Sequence, residues 1–430
     1  MAPVVRFAAE HGLLLSLRGG GHNVAGNGTV DGGIVLNLGA LKDITVDVAA
    51  ATVTAAPGLT LGDLDTATEA VGLIVPVGVV SGTGLIGLTL GGGFGWLTRP
   101  YGLTIDNVLA AELITASGEQ VRASALENAE LFWGLRGGGG NFGVVTSITY
   151  QAQRLGPRVF SGNLIYHRRN WRAALEAYSR WTQELPDALT SIVTFVVPPA
   201  SFELGDDTVM LVGFTWVGAD QAGGERLVDA LRGMARPDGE VVEPARWVDW
   251  QSQADGLFPR GSRAYWKNVP FDRLGANEVS AVLSHVERLR PGSAVDIHHM
   301  GGAVARVPGD ATPFPDRAAR YWVNVYGFWS DPADDAEGGD LVLYRFRDEP
   351  GFYSRRTAMP NRIEEVARIP YAANTLVLFA NSINSVHGVT PRKPNPHVRR
   401  YINFQVELEN PIFEIPYVSP VNSFVERVLG

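Results

Sequence analysis

Apolar positions in the first 150 residues come in short runs bounded by glycine. Residues 3–11 place Val4, Val5, Phe7 and Ala8 on one side, the spacing of a helix, and His11-Gly12 closes it. The runs 13–17, 34–38, 44–48 and 52–55 are short and apolar or alternating, which predicts strands. Residues 60–71 predict a helix that Gly72 ends. Residues 73–99 are apolar and glycine-rich at once, which predicts backbone packed closely against something flat. Residues 108–115 and 120–122 predict a hairpin around Ser117-Gly118, followed by a short helix at 129–136 and a strand at 144–151.

From about residue 157 the pattern lengthens. Alternating runs at 159–166, 191–197, 208–216, 293–301 and 321–328 predict an antiparallel sheet, and 171–182, 222–234 and 277–289 carry helical periodicity. A third texture begins near residue 337, with short strands at 341–346, 375–380 and 401–408 separated by proline-rich loops. The expected class is α+β, with domains at 1–152, 153–336 and 337–430.

The 430 residues are too many for one ordinary core, which agrees with several domains. A formal net charge of −9 gives no basic face for phosphates, so no nucleic-acid partner is expected. No run reaches the length of a membrane span, and the amphipathic start lacks the apolar stretch of a signal peptide, so no membrane partner and a cytoplasmic location are expected. The absence of cysteine removes disulfides, thiolate metal sites and any cysteine–cofactor bond. Nothing in the sequence fixes the oligomeric state.

Glycine changes the picture most. Clusters at 18–23, 90–95 and 136–143 each adjoin a predicted strand. Without Cβ atoms, backbone N–H groups can approach a pyrophosphate or a ring and converge on one anion. One such cluster is a tight turn; three within 130 residues point to a large dinucleotide ligand. The dinucleotide-fold fingerprint is absent, because Gly91-Gly92-Gly93-Phe94-Gly95 runs on to Pro100, which argues against a following helix. His22 follows three glycines directly. Held on that loop, its imidazole could attack an electron-poor methyl group, whereas an ordinary loop histidine would only hydrogen-bond.

The ordered set Arg18-Gly-Gly-Gly-His-Asn, Asp31-Gly-Gly-Ile, Gly87-Leu-Thr-Leu-Gly-Gly-Gly-Phe-Gly-Trp-Leu, Tyr101-Gly-Leu-Thr-Ile-Asp-Asn and Leu131-Phe-Trp-Gly-Leu-Arg-Gly-Gly-Gly-Gly-Asn-Phe-Gly-Val-Val-Thr resembles the berberine-bridge-enzyme-like oxidases of the vanillyl-alcohol-oxidase superfamily. The resemblance covers residues 1–336 and implies a PCMH-type FAD domain of two subdomains under an antiparallel-sheet substrate domain. It implies FAD held covalently by His22, with Val80 at the place where some relatives carry a second, cysteine link. It places Arg18, Gly19, Gly20, Gly21, His22, Asn23, Gly78, Ser81, Gly82, Thr83, Gly84, Gly87, Asp106, Asn107, Asn141, Gly143 and Val145 against the cofactor. The implied chemistry moves hydride from a small-molecule alcohol, amine or sugar C–H to the flavin, with molecular oxygen as acceptor. Tyr321 and Tyr326 are the candidate catalytic side chains, and of His298 and His299, on alternating faces of a strand, at most one faces the flavin.

Two departures accompany the resemblance. The family carries strands ahead of the first helix and a Tyr-x-Asn strand, a helix and a returning segment at its end; here Tyr401-Ile-Asn403 is the nearest likeness. Residues 338–408 resemble the second half of a 2-oxoglutarate/iron oxygenase jelly roll, with His387 at the distal ligand position and Arg399 or Arg400 at the oxoglutarate position. The upstream His-x-Asp/Glu pair is missing there, and His285-Val-Glu287 lies in a predicted helix, so no metal is expected. A junction near residue 337, and an inactive fusion remnant as the alternative to a working oxidase, are the corresponding expectations.

Overall fold

The structure is a computed structural model that describes residues 1–329 except 157, 200, 201, 203, 259, 260, 288 and 290, and the backbone of 341–346, 363–369 and 386–389. The chain forms two compact units, Met1–Phe328 and Trp329–Gly430.

In the first unit, helix α1 (Ala2–Glu10) precedes a parallel pair, β1 (Leu15–Arg18) and β2 (Ile34–Asn37). Val5 of α1 is buried with Leu38, Ile114 and Val144, which ties this small layer to the next sheet. That sheet is antiparallel, in the order β3 (Ile44–Asp47), β4 (Thr52–Ala55), β8 (Val144–Gln151), β6 (Val108–Ile114), β7 (Gln120–Ser124). Helices α2 (Leu61–Glu69), α3 (Leu85–Leu90) and α5 (Ala129–Leu135) cover it through Leu61, Leu64, Leu85 and Phe132. The Thr60 hydroxyl accepts from the Asp63 amide and the Asp63 carboxylate accepts from the Thr60 amide, a reciprocal cap that starts α2 where the sequence predicts it. Strands β5 (Leu73–Ile74) and β9 (Gln153–Arg154) form a short separate pair.

One prediction for residues 73–99 needs correction and one element is an addition. Residues 85–90 form α3, and Thr98–Tyr101 form the one-turn helix α4 despite Pro100. The proline is tolerated because N–H groups in a first turn have no intrahelical acceptor to lose.

The second half of the unit carries a seven-stranded sheet in the order β13 (Gly239–Ala245), β10 (Val159–Tyr166), β12 (Val209–Trp216), β11 (Leu189–Val196), β15 (Ser293–His299), β16 (Tyr321–Trp329), β14 (Arg263–Phe271). Its pairings from β13 through β16 are antiparallel. Helices α6 (Trp171–Trp181), α7 (Gln221–Met234) and α9 (Ala276–Val286) bury one face, where Phe195, Phe214, Ile297 and Val323 meet Trp171, Tyr178, Val228 and Leu283. Helices α8 (Trp247–Ser252) and α10 (Ala303–Arg306) are shorter.

The two edge strands were not legible from periodicity. Residues 239–245 and 263–271 mix exposed apolar and charged positions and contain Pro244 and Pro270, because an edge strand is buried on few sides.

In the second unit, β17 (Leu341–Phe346) lies between β18 (Ile363–Ile369) and β19 (Val386–Val389), all antiparallel. The strand at 341–346 is where the sequence predicts it, and 363–369 is an addition. The backbone of His387 lies opposite Leu343. The strand predictions at 375–380 and 401–408, and the jelly-roll readings on Arg399, Arg400, Tyr401 and Asn403, lie outside the described residues.

Candidate active site

The loop that leaves β1 is pinned against the loop that enters α3. A Cβ placed on Gly20 would lie 2.3 Å from the Gly84 nitrogen and 2.6 Å from its Cα, so only glycine admits this contact. Gly21 follows with φ 73°, a left-handed conformation that turns the chain and leaves it exposed, with His22 half-buried beside it. The Asn23 side chain accepts from the Asn27 amide at 3.1 Å and fixes the far end of the loop. Residues 18–23 and 83–84 therefore form one rigid glycine platform, open on one side, as the backbone face of a dinucleotide site requires.

The third glycine loop joins the platform's neighbour. The Gly139 amide donates to the Leu90 carbonyl at 2.9 Å, and Phe314 packs over Gly92 and Gly137. Asn141 is exposed and donates to Gly138 at 3.0 Å, and Gly143 stands beside the Ile114 carbonyl at the start of β8. Val145 pairs with Leu113 and buries its side chain in the sheet core, so only its backbone is available to a ligand.

Four of the expected cofactor contacts have other duties. Asp106 receives both terminal nitrogens of Arg317, at 2.8 and 3.1 Å, and the Leu103 amide at 2.9 Å. Its carboxylate thus joins the loop ahead of β6 to the chain entering β16. Asn107 donates to the carbonyls of Tyr101 and Leu103 and accepts from Gln153. Ser81 gives both its amide and its hydroxyl to Asp255. The Gly78 carbonyl accepts from Gln251. These hydrogen bonds hold loops and domains together. Gly82 lies on the same stretch as Ser81, and Gly87 is exposed in α3 with open space around it.

The sheet face opposite the helices meets the glycine loops. Phe94 stands edge-on to His298 at 5.0 Å and tilts over Trp322 at 5.7 Å, and Trp96 approaches Gly213. Strand alternation brings Asp296, His298, Asn324 and Tyr326 to this face. All four are nearly fully buried. His298 Nε2 lies 3.9 Å from Asp296 Oδ2, too far for a hydrogen bond. The Tyr326 hydroxyl is hydrogen-bonded to Asp296 and Asn324. Burial first, and the adjacent Asp296 charge second, push its pKa well above the usual tyrosine value. Tyr326 therefore stays protonated and acts as a hydrogen-bond donor.

Tyr321 does not join it. Its parity along β16 sends it to the helix face, where it is fully buried and its hydroxyl meets Thr182 Oγ1 at 2.5 Å. The single-face expectation for the histidine pair holds. His299 turns to Arg99, whose Nη1 donates to its Nε2 at 3.2 Å, and burial followed by the Arg99 charge holds its pKa well below the usual value. The spacing Asp296-x-His298 along a strand, with Asn324-x-Tyr326 on the neighbour, is the signal in the sequence that could have found this cluster.

A family profile described as FAD binding domain matches residues 1–124. The chain is 41% identical to FAD-linked oxidoreductase fogF of Aspergillus ruber over 399 residues, 88% of this chain and 79% of that protein. The chain belongs to the FAD-linked oxidoreductases. (R)-6-hydroxynicotine oxidase of Paenarthrobacter nicotinovorans is 37% identical, over 67% of this chain and 62% of its own length. The crystal structure of 6-hydroxy-D-nicotine oxidase from Arthrobacter nicotinovorans superposes with a TM-score of 0.69 at 28% identity, over 77% of this chain and 73% of that one.

FAD is the cofactor of this FAD-linked oxidoreductase, and the glycine platform fits it. The fogF similarity spans a larger share of the chain than residues 1–336 provide, so it runs past the expected junction. The fusion-remnant alternative and the jelly-roll resemblance gain no support. No helix among the described residues is long and apolar enough to cross a membrane.

Proposed function

We propose that this FAD-linked oxidoreductase is an oxidase of a small-molecule alcohol, amine or sugar, and that His22 binds its flavin covalently. The observation that carries the reading is the buried Asp296–His298–Asn324–Tyr326 face, against which Phe94 of the 90–95 glycine loop packs. Residues 18–23 and 83–84 would hold the pyrophosphate through backbone N–H groups, and Gly143 and Val145 would add backbone contacts. FAD, when bound, supplies the two-electron acceptor.

The chain's own residues do the rest. Tyr326 and Asn324 orient the substrate's O–H or N–H by hydrogen bonding. Asp296, or His298 beside it, accepts the proton as the C–H leaves with its electron pair. Molecular oxygen then takes up two electrons and two protons as hydrogen peroxide. The enclosing aromatic side chains Phe94 and Trp322 exclude water, which strengthens each polar contact.

The test is a visible spectrum of the purified protein before and after acid precipitation. Yellow that stays with the pellet, and that His22→Ala moves to the supernatant, supports the covalent link. A colourless wild-type protein would sink the whole reading. Tyr326→Phe is expected to leave flavin loading unchanged and to lower kcat by about 10²-fold, the scale of one positioned proton-transfer or orienting group. Unchanged turnover in that variant would remove Tyr326 from the site.

A further inference from the structure

The polar cluster on the seven-stranded sheet carries a carboxylate and is bordered by aromatic rings. Tyr326 stands at the border. Its hydroxyl is bonded to Asp296 and Asn324, while its ring meets Trp266 at 5.1 Å and Phe258 at 5.3 Å, both nearly perpendicular. Phe328, two residues on along β16, stands edge-on to Phe258 at 5.9 Å. Trp266 comes from β14 and Phe258 from the chain ahead of it. These three rings are only partly buried, whereas Val196, Leu211 and Ala294 of the same cluster are buried. An aromatic surface left partly open beside buried polar groups is the build of a small-molecule pocket.

Asp296 lacks a close counter-charge. The residues directly opposite it, Thr194 on β11 and Asn324 on β16, are neutral. Among the described residues its basic neighbour is His298, whose Nε2 lies 3.9 Å away, beyond hydrogen-bonding distance. Tyr326 brings a proton to the carboxylate but no charge. The Asp296 side chain keeps 8% of its exposure, so a ligand can touch it, whereas His298 Nε2 is sealed off from any ligand. A carboxylate withdrawn from bulk water, with rings beside it, is complementary to a ligand that brings positive charge on an apolar, aromatic body. An alcohol would leave that charge uncompensated. A sugar would bring several hydroxyl groups to a wall where Phe258 and Phe328 offer no hydrogen bond.

We propose that the substrate is a small arylalkyl amine that binds as its ammonium ion, with the nitrogen at Asp296 and the ring against Phe258, Trp266 and Phe328. This assignment rests on the oxidase reading of the same face and narrows it from three substrate classes to one. Asp296 takes a proton from the ammonium group, which frees the nitrogen lone pair. The neighbouring C–H then leaves with its electron pair to the flavin, while the lone pair closes a C=N bond. Water adds to that iminium ion and releases a carbonyl product and ammonium. The hydride and the proton held by Asp296 pass to molecular oxygen as hydrogen peroxide, so amine, oxygen and water balance carbonyl, ammonium and peroxide. Asp296 thus acts as the proton acceptor, and the three rings fix which amine enters.

The test is a calorimetric titration of the flavin-loaded protein with two ligands that have no C–H beside the heteroatom and so cannot be oxidised. One is 2-phenylpropan-2-amine as its hydrochloride; the other is its neutral counterpart, 2-phenylpropan-2-ol. The amine is expected to bind at least about tenfold more tightly, the scale of one hydrogen bond to a charged group. Asp296→Asn should bring the two ligands close together, and Trp266→Leu should weaken the amine several-fold. Oxygen uptake with benzylamine, benzyl alcohol and cellobiose should be fastest with the amine, and Trp266→Leu should raise its KM more than it lowers kcat. Binding of the alcohol as tight as that of the amine would overturn the proposal. So would an amine preference that survives in Asp296→Asn or, should that variant fail to fold, amine binding unmoved by Trp266→Leu. Turnover of benzyl alcohol or cellobiose alone would also overturn it while leaving the oxidase reading intact.

Discussion

Gly20→Ala is expected to yield protein that carries at least about tenfold less flavin than wild type. The added methyl would sit 2.3 Å from a backbone nitrogen and 2.6 Å from a Cα, and backbone cannot swing aside as a flexible side chain could. The loops at 18–23 and 83–84 must separate, and the amides they aim outward lose their common focus. Overpacking of this kind costs about 1–3 kcal/mol, and about 1.4 kcal/mol is already a tenfold loss in affinity. Gly233→Ala is the matched control, because its Cβ would enter open space on α7. The ratio of flavin to protein absorbance reads both. Equal loading in the two variants would mean that the platform is not where the cofactor rests.

Arg99→Met is expected to lower Tm by several degrees without touching any group that contacts substrate. Arg99 is 5% exposed and extends from α4 into the sheet domain. It donates to the carbonyls of Leu185, Leu189 and Met300 at 2.9, 2.9 and 2.6 Å and to His299 at 3.2 Å. Methionine fills much of the volume but leaves four buried acceptors unmatched, a loss of about 3 kcal/mol or more when each costs about 1–3. Thermal melts of the flavin-loaded protein measure it. Arg99→Lys should recover only part, because one ammonium cannot reproduce the planar fork.

The central strands were readable because burial leaves apolar residues on alternate positions or, at 159–166, on nearly all: the runs at 52–55, 144–151 and 159–166 appear in the structure with those ends. The glycine loops were readable for the opposite reason, since a backbone contact leaves its mark as missing side chains. What sequence could not give was the direction of polar side chains. Asp106, Asn107 and Ser81 also bond Arg317, Gln153 and Asp255, more than 40 residues away in each case, and no local pattern announces those partners. Tyr321 and Tyr326 are equally plausible by residue type; their strand parity separates them, and it decides only once it is known which face the helices cover.

The prolines on the flanks of the seven-stranded sheet bear on how copies of this protein can meet. Pro244 lies in β13 and Pro270 in β14, the two outermost strands. Each removes one N–H donor from an edge strand, where proline is tolerated and disfavours further pairing. Lateral growth of the sheet into a ribbon or fibre is thereby disfavoured at both margins.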